Sequence, residues 1–274
     1  MNKKLTWIIA IIFLSACNNP EPKEVAPQNT PAISNEPTAI NYSVVYAYPH
    51  DTTSFTEGFL VHDGELYEAT GYTKEYPSSR SLFGVVDLKT GKIQKKVEID
   101  RNKYFGEGIV FLNGKVYQLT YTTKIGFVYD AKTFKKIGEF TFPSAEGWGF
   151  TTDGKSLIMS DGSSNISYLD PITFKLVKVL GVTDNNGPVD SINELEIING
   201  FIYANRYTTN YILKIDPSSG KVVGKLDLTT LDTEAKNKYP ESLQLNGIAY
   251  DSTSKKVYVT GKLWPNIYEI KFNY

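Results

Sequence analysis

Acidic residues recur next to glycine at the start of several predicted strands in this chain. The arrangement occurs at Glu57-Gly58, Glu107-Gly108 and Glu146-Gly147, and a fourth segment reads Asn193-Glu194-Leu195-Glu196. Because glycine lets backbones approach closely, we expect these strand starts to converge on a crowded axis. A carboxyl group removed from water there has a raised pKa, which suits general acid–base catalysis.

Aromatic residues are expected near the same level as these acids, where they would surround such a carboxyl pocket. They are Phe55, Phe105, Tyr121, Trp148 and Tyr207. Purely structural roles stay open for all of these residue types. A glutamate beside glycine can bond to a neighbouring strand, and a lone tryptophan often belongs to the core. Lys262, in the segment TGKLWP, can equally be a solvated or salt-bridged lysine.

Composition and spacing argue against several other kinds of site. The chain has 29 basic and 30 acidic side chains and a net charge of -1, which gives no reason to expect nucleic acid as a partner. One cysteine and two histidines, His50 and His62, argue against a zinc site. There is no nucleophile–base signature and no phosphate loop, since the Gly-Lys pairs lie in hairpin turns. A calcium site stays open, although no Asp-rich motif supports one.

The N-terminal residues have the features of a bacterial lipoprotein signal. Two lysines precede an apolar run, Leu5 to Phe13, which is too short to cross a bilayer comfortably. The run ends in Leu14-Ser15-Ala16-Cys17, a pattern of small residues before a cysteine. We therefore expect residues 1–17 to comprise a lipoprotein signal peptide and its cysteine, with cleavage before Cys17 and lipid attached to it. An ordinary secretory signal with a chance cysteine is the alternative.

Residues 18–40 have the composition of a flexible tether. They are rich in Pro, Asn and Glu and poor in large apolar side chains, so they cannot bury enough surface to offset their conformational entropy. Residues 41–274 then form the folded domain. We expect a monomer at the cell envelope that contacts the membrane only through its lipid anchor.

The folded part consists of short alternating runs that are typical of strands, such as SVVYAY, GKVYQLTY and KKVYVTG. Tight turns with Asp-Gly or Asn-Gly separate them, as at Leu112-Asn113-Gly114. The runs recur in units of roughly 40 to 55 residues, the interval expected of propeller blades. Five such units predict an all-β, five-bladed β-propeller, with a pair of β-sandwiches as the alternative.

The N-terminal strand is expected to close the ring. The fifth unit has only two strands after its inner segment, and Tyr42 to Tyr48 can supply the missing outer strand and remove the free sheet edges. Leu228 to Tyr239 (LTTLDTEAKNKY) is interpreted as an insertion with a helical turn. Because inner strands of a propeller converge on a central channel, the acids are expected to meet although they are far apart in sequence.

The residues from about Tyr42 to Phe272 resemble the plant- and bacterial-type glutaminyl-peptide cyclotransferases, also called glutamine cyclotransferases. The matching segments occur in order in all five units: SFTEGF, YPSSRS, FGEGI, QLTY, EGWGFTTDG, INELEIINGFIYAN, LNGIAY and VTGKLWPNIYEI. The resemblance implies a five-bladed propeller unrelated to the zinc-dependent animal type. It also implies conversion of N-terminal glutamine in peptides or proteins to pyroglutamate, with release of ammonia and with neither metal nor cofactor.

The same resemblance implies roles for individual residues. Glu107 falls on the family's catalytic carboxylate, Lys262 on the channel lysine, and Asn193 on a polar contact to the substrate. The implied pocket aromatics are Phe55, Phe105 and Trp148.

The chain departs from the plant members at three positions. They have FTQG where this chain has Glu57, and tryptophan where it has Tyr121 and Tyr207. The tyrosines keep an aromatic surface, whereas Glu57 can add a charge beside the site and raise the pKa of Glu107.

Two other functions stay open from the residues alone. One is a non-catalytic, envelope-associated binding propeller, since this fold does not fix a function. A pure scaffold, however, does not need a glutamate, a lysine and several aromatics in its channel. The other is a metal-dependent, lactonase-like propeller hydrolase, which would require channel acids and asparagines to hold a metal.

Overall fold

The computed structural model describes residues 36–274. The predicted signal peptide, its lipid-attachment residue Cys17 and most of the predicted tether lie outside these residues and stay predictions. Within residues 36–274, no helix has both the length and the apolar character needed to cross a bilayer.

Residues 36–274 form twenty-three strands and one helix. Two N-terminal strands come first: β1 (Thr38–Ala39) and β2 (Tyr42–Pro49). Blade 1 contains β3 (Thr56–His62), β4 (Glu65–Thr70), β5 (Leu82–Asp87) and β6 (Lys92–Glu98). Blade 2 contains β7 (Gly106–Leu112), β8 (Lys115–Thr120), β9 (Ile125–Asp130) and β10 (Lys136–Thr141).

The remaining elements follow the same plan. Blade 3 contains β11 (Phe150–Thr152), β12 (Leu157–Ser160), β13 (Asn165–Leu169) and β14 (Leu176–Gly181). A small ribbon consists of β15 (Thr183–Asp184) and β16 (Gly187–Pro188). Blade 4 contains β17 (Ile192–Ile198), β18 (Phe201–Arg206), β19 (Tyr211–Ile215) and β20 (Val222–Asp227), and helix α1 (Thr229–Lys238) follows it. Blade 5 begins with β21 (Leu245–Asp251), β22 (Lys256–Gly261) and β23 (Asn266–Phe272).

Within each blade the strands pair antiparallel in chain order, so the first strand is the innermost. The five inner strands β3, β7, β11, β17 and β21 contact each other in that sequence, and β21 returns to contact β3. The strands therefore surround one central axis, and the predicted all-β, five-bladed propeller is confirmed.

The N-terminal strand closes the ring as predicted. β2 pairs antiparallel with β23, from Tyr42 opposite Phe272 to Pro49 opposite Asn266, and it supplies the fourth strand of blade 5. The folded part starts earlier than predicted, however. β1 lies within the stretch assigned to the tether, yet it pairs parallel with β20, with Thr38 opposite Gly224. A two-residue edge strand carries too little alternation to be read from sequence.

A buried ionic contact fastens the closing strand to blades 1 and 5. The His50 ring, just after β2, lies 2.8 Å from the carbonyl oxygen of Trp264 and 3.1 Å from both carboxylate oxygens of Glu68. Burial alone would lower the pKa of His50, but the Glu68 carboxylate outweighs it and the pKa is raised. Glu68 also accepts a 2.7 Å hydrogen bond from the Thr56 hydroxyl, next to Glu57.

The predicted helical turn is a full helix. In α1, Leu231 and Ala235 are buried in the apolar cluster shared by blades 4 and 5. Two ion pairs at spacing i,i+4 support the helix: Lys238–Glu234 at the surface and Lys236–Asp232, in which the aspartate is buried. The insertion therefore fills space between two blades.

Candidate active site

A cavity of about 520 Å³ lies where the inner strands start. All nine residues that the sequence analysis proposed for the site line this cavity: Phe55, Glu57, Phe105, Glu107, Tyr121, Trp148, Asn193, Tyr207 and Lys262. The residues span all five blades, so the cavity exists only in the assembled ring. Three further residues complete its lining: Tyr72, Thr73 and Lys74.

The inner strands begin with β-bulges that turn selected side chains toward the channel. In blade 1, Thr56 pairs with Thr70 and Gly58 with Ala69, so Glu57 has no partner across the ladder. Comparable shifts leave Glu107 unpaired in blade 2, Asn193 in blade 4 and Asn246 in blade 5. Because a bulge re-aims the extra residue, the four blades present polar side chains at one level.

Glycine allows the inner strands to approach closely beside these bulges. A Cβ atom on Gly108 would lie 2.7 Å from the Trp148 carbonyl oxygen, and one on Gly58 would lie 3.0 Å from the Gly108 Cα atom. The Gly108 N–H also donates to the Trp148 carbonyl at 3.0 Å. The acids and Trp148 are thereby held on neighbouring backbones.

Lys262 and Glu57 form a buried ion pair at the base of the cavity. Each side chain is only 4% exposed, and the Lys262 ammonium contacts Glu57 Oε1. The same ammonium lies 4.4 Å from the centroid of the Phe55 ring and 5.9 Å from that of Tyr207. The aromatic faces add cation–π attraction, so the lysine is held in place from two directions.

Glu107 is hydrogen-bonded to Glu57, and the pKa of Glu107 is raised more strongly than that of Glu57. Burial raises the pKa of Glu107 well above its ordinary value, and the Glu57 carboxylate raises it further, while Lys262 opposes the shift. Burial also raises the pKa of Glu57, and Lys262 and the hydrogen bond from Glu107 offset only part of this rise. We assign the shared proton to Glu107, which is then a neutral acid, and the negative charge to Glu57.

Asn193 offers an unused hydrogen-bond acceptor. The residue is 3% exposed, and its amide oxygen has no hydrogen-bond partner among the described residues. Its main-chain oxygen is occupied, since the Ser160 hydroxyl donates to it at 2.7 Å. Buried polar atoms are nearly always paired, so the amide oxygen is suited to accept an N–H group of a ligand.

The walls of the cavity are aromatic. Phe105 lies between Phe55 and Tyr121, with ring centroids 5.9 Å apart on both sides. Across the cavity, Trp148 packs edge-to-face on Tyr207 at 5.5 Å. These pairs give a rigid apolar enclosure from which water is readily displaced.

Two of the acids singled out by sequence have structural roles. Glu146 accepts a 2.9 Å hydrogen bond from the Trp148 indole and another hydrogen bond from the Tyr121 hydroxyl, so it orients two wall residues. Glu194 accepts the main-chain N–H groups of Ile248 at 2.8 Å and Phe59 at 3.4 Å, tying blade 4 to blades 5 and 1.

Several residues of the site were not predicted from sequence. Asn246 donates to the Thr56 carbonyl at 3.0 Å and to Glu57 Oε2 at 3.4 Å. Aligning LNGIAY with the other inner segments would have placed Asn246 at the level of the acids. Tyr72, Thr73 and Lys74 lie in the β4–β5 connection, where strand periodicity gives no signal. Among residues 36–274, no group of three or more His, Cys, Asp or Glu is arranged to hold a metal ion.

Comparisons with known proteins agree on one family. The model of the glutamine cyclotransferase family matches residues 10–272. A glutaminyl-peptide cyclotransferase from Arabidopsis thaliana is 38% identical over 230 residues, which cover 83% of this chain and 70% of that protein. The crystal structure of Myxococcus xanthus glutaminyl cyclase matches with a TM-score of 0.77 and 32% identity, covering 87% of this chain and 99% of that one.

The buried ion pair predicts how Lys262 contributes to stability. Lys262→Met leaves the Glu57 charge buried without its partner, so we expect the free energy of unfolding at neutral pH to fall by about 3–5 kcal/mol. The deficit should shrink toward acid pH, because a carboxyl group whose folded pKa is raised becomes neutral there. Denaturant unfolding at several pH values measures both effects.

A double mutant provides the control for this prediction. Adding Glu57→Gln to Lys262→Met removes both charges and should restore most of the lost stability. If Lys262→Met unfolds at the same denaturant concentration as the wild type, the assigned ion pair is wrong.

Proposed function

The chain belongs to the glutamine cyclotransferase family, and from this we propose that its cavity cyclises the N-terminal glutamine of peptides and proteins to pyroglutamate. The mechanism rests on one observation: the buried carboxyl group of Glu107 lies beside the Glu57–Lys262 ion pair and is kept neutral there. A neutral acid at this position can give a proton to a departing amine. The alternatives of a binding scaffold or a lactonase-like hydrolase are not favoured.

The reaction joins two groups of the same residue. The neutral α-amine attacks the carbon of the side-chain amide, and a C–N bond forms to give a tetrahedral intermediate. The bond to the side-chain nitrogen then breaks, and this nitrogen leaves as ammonia. The amine has a pKa near 8, so a considerable share is unprotonated at mildly alkaline pH.

Glu107 is the proposed proton carrier. It donates its proton to the departing nitrogen and then accepts the proton lost by the ring nitrogen, so it ends the cycle as a neutral acid. The side-chain acyl group moves from the amide nitrogen to the α-nitrogen of the same residue, so the reaction is an acyl transfer. No water enters the balance.

The other cavity residues position the substrate. The unpartnered oxygen of Asn193 accepts a hydrogen bond from the α-amine, and Lys262 donates to the oxygen that becomes negative in the intermediate. The aromatic walls hold the side chain folded back against the amine and keep water from hydrolysing the amide.

Replacing the two neighbouring carboxyls separately tests the assignment of the acid. Glu107→Gln keeps the shape and removes the proton, so kcat for ammonia release from a glutamine-initiated peptide should fall by about 10²- to 10⁴-fold. The matched variant Glu57→Gln should be much milder. Its deficit should grow with pH, because loss of the Glu57 charge lowers the pKa of Glu107 and the acid form is lost earlier.

Circular dichroism should show both variants folded. A dead Glu57→Gln beside a nearly normal Glu107→Gln would reverse the two roles. If neither variant changes the rate, catalysis by a channel acid is refuted.

We also propose that the reaction is metal-independent. Lys262 already supplies a positive charge beside Glu57 and toward the reacting group, the task that a Lewis-acid metal performs in hydrolases. Activity should therefore persist after prolonged dialysis against EDTA. Loss of ammonia release on chelation, with recovery on adding back zinc or calcium, would overturn this proposal.

A further inference from the structure

The β4–β5 connection forms one side of the cavity mouth. Tyr72, Thr73 and Lys74 line the same cavity as Glu107, but the residues differ in depth. Glu107 is 4% exposed, whereas Lys74 is exposed to solvent. A peptide whose first residue reaches Glu107 must therefore leave the cavity past its rim, where Lys74 lies.

Two serines hold this connection in place. The main-chain N–H of Tyr72 donates to Ser81 Oγ and that of Thr73 donates to Ser79 Oγ, both at 3.0 Å. Ser79 and Ser81 are themselves buried. The backbone that carries Lys74 is thus fixed from below, and the lysine is presented at a defined place on the rim.

Lys74 makes no ion pair with any of residues 36–274. Two lysines of blade 1 are paired, by contrast: Lys92 with Asp51 and Lys95 with Glu98. A second cation reinforces the charge, because the Arg101 guanidinium lies 4.8 Å from the centroid of the Tyr72 ring.

Two neighbouring acids, Glu146 and Glu75, form no ion pair with Lys74 or Arg101 among residues 36–274. Glu146 is engaged by Trp148 and Tyr121. Glu75 lines a different groove of about 310 Å³, together with Tyr76 and Glu241. Lys74 on the rim and Arg101 on the ring of Tyr72 therefore place two positive charges on this side of the mouth.

We propose that Lys74 binds a carboxylate of the substrate just beyond the N-terminal glutamine. The carboxylate belongs either to an acidic side chain at the second position or to the C-terminus of a very short peptide. The inference rests on the proposed function, and it makes Lys74 a residue that determines specificity. Arg101 assists by raising the local positive potential and by stacking on Tyr72.

Peptides that differ only in charge test the proposal. The first set consists of three amidated tripeptides that start with Gln and carry Glu, Ala or Lys at the second position, with the Ala peptide as the neutral partner. The second set compares the dipeptide Gln-Ala, which has a free C-terminal carboxylate, with its neutral C-terminal amide. For the wild type, kcat/KM should be about 2- to 5-fold higher for a carboxylate than for its neutral partner, the range of exposed ion pairs. The preference should vanish near 1 M salt, where the Debye length is about 3 Å.

Substitutions at Lys74 provide the second readout. Lys74→Gln should abolish the preference, and Lys74→Glu should reverse it in favour of the lysine peptide. The matched control is Lys89→Glu, which makes the same charge change at an exposed turn of blade 1 away from the cavity. It should leave the preference intact.

The outcomes separate this inference from the proposed function. No ammonia from any peptide would refute the proposed function itself. Turnover of all peptides at equal kcat/KM, or a preference unchanged in Lys74→Glu, would refute the role of Lys74 alone. A preference limited to the acidic side chain, or limited to the free C-terminus, supports the role and identifies the source of the carboxylate.

Discussion

Two carboxyl groups and one ammonium group lie side by side, out of water, at the centre of this propeller. Their burial limits how many of the three groups can be charged. Lys262 balances the charge of Glu57. A second negative charge on Glu107 would be buried without a partner, and such a charge destabilises a folded protein strongly. Glu107 therefore retains its proton at a pH where an exposed glutamate has lost it. The chemistry of the site follows from this electrostatic balance rather than from an unusual residue.

The propeller produces this balance by bringing together blades that are distant in sequence. Glu57 comes from blade 1, Glu107 from blade 2 and Lys262 from blade 5, and β-bulges turn the two glutamates inward. Blade 5 is complete only when β2 joins it. The contact between His50 and Glu68 fixes that junction, and Glu68 also holds Thr56, the residue before Glu57. Ring closure and the position of the ion pair thus depend on the same contacts.

Much of this arrangement was predictable from sequence because its determinants are local. Asn-Gly and Asp-Gly turns and alternating runs specify hairpins, and their repetition specifies blades. Once a propeller is inferred, the starts of the inner strands must meet, and the ends of the second strands lie beside them. Together with the family resemblance, which placed Lys262, this predicts the nine residues that share one cavity. The roles of the acids were not predictable in this way. Glu146 and Glu107 look alike in sequence, yet one holds Trp148 and the other meets Glu57. That difference depends on the geometry between blades.

Connections and edges escaped prediction for a related reason. The rim residues around Lys74 lie in a loop fixed by side-chain hydrogen bonds, which leave no periodic signal. The edge strand β1 is too short to alternate. Its position depends on β20, which lies far along the chain. Both features therefore emerge only when the packed structure is known.

The protonation state of Glu107 in the free enzyme tests the account most directly. Infrared difference spectroscopy at neutral pH, comparing the wild type with Glu107→Gln, resolves the carbonyl stretch of a single protonated carboxyl group. Other buried acids such as Glu194 cancel in the difference. We predict that the wild type shows this band, that Glu107→Gln lacks it, and that it persists in Glu57→Gln at mildly acidic pH. A band unaffected by Glu107→Gln but absent in Glu57→Gln would place the proton on the other carboxyl and contradict the account.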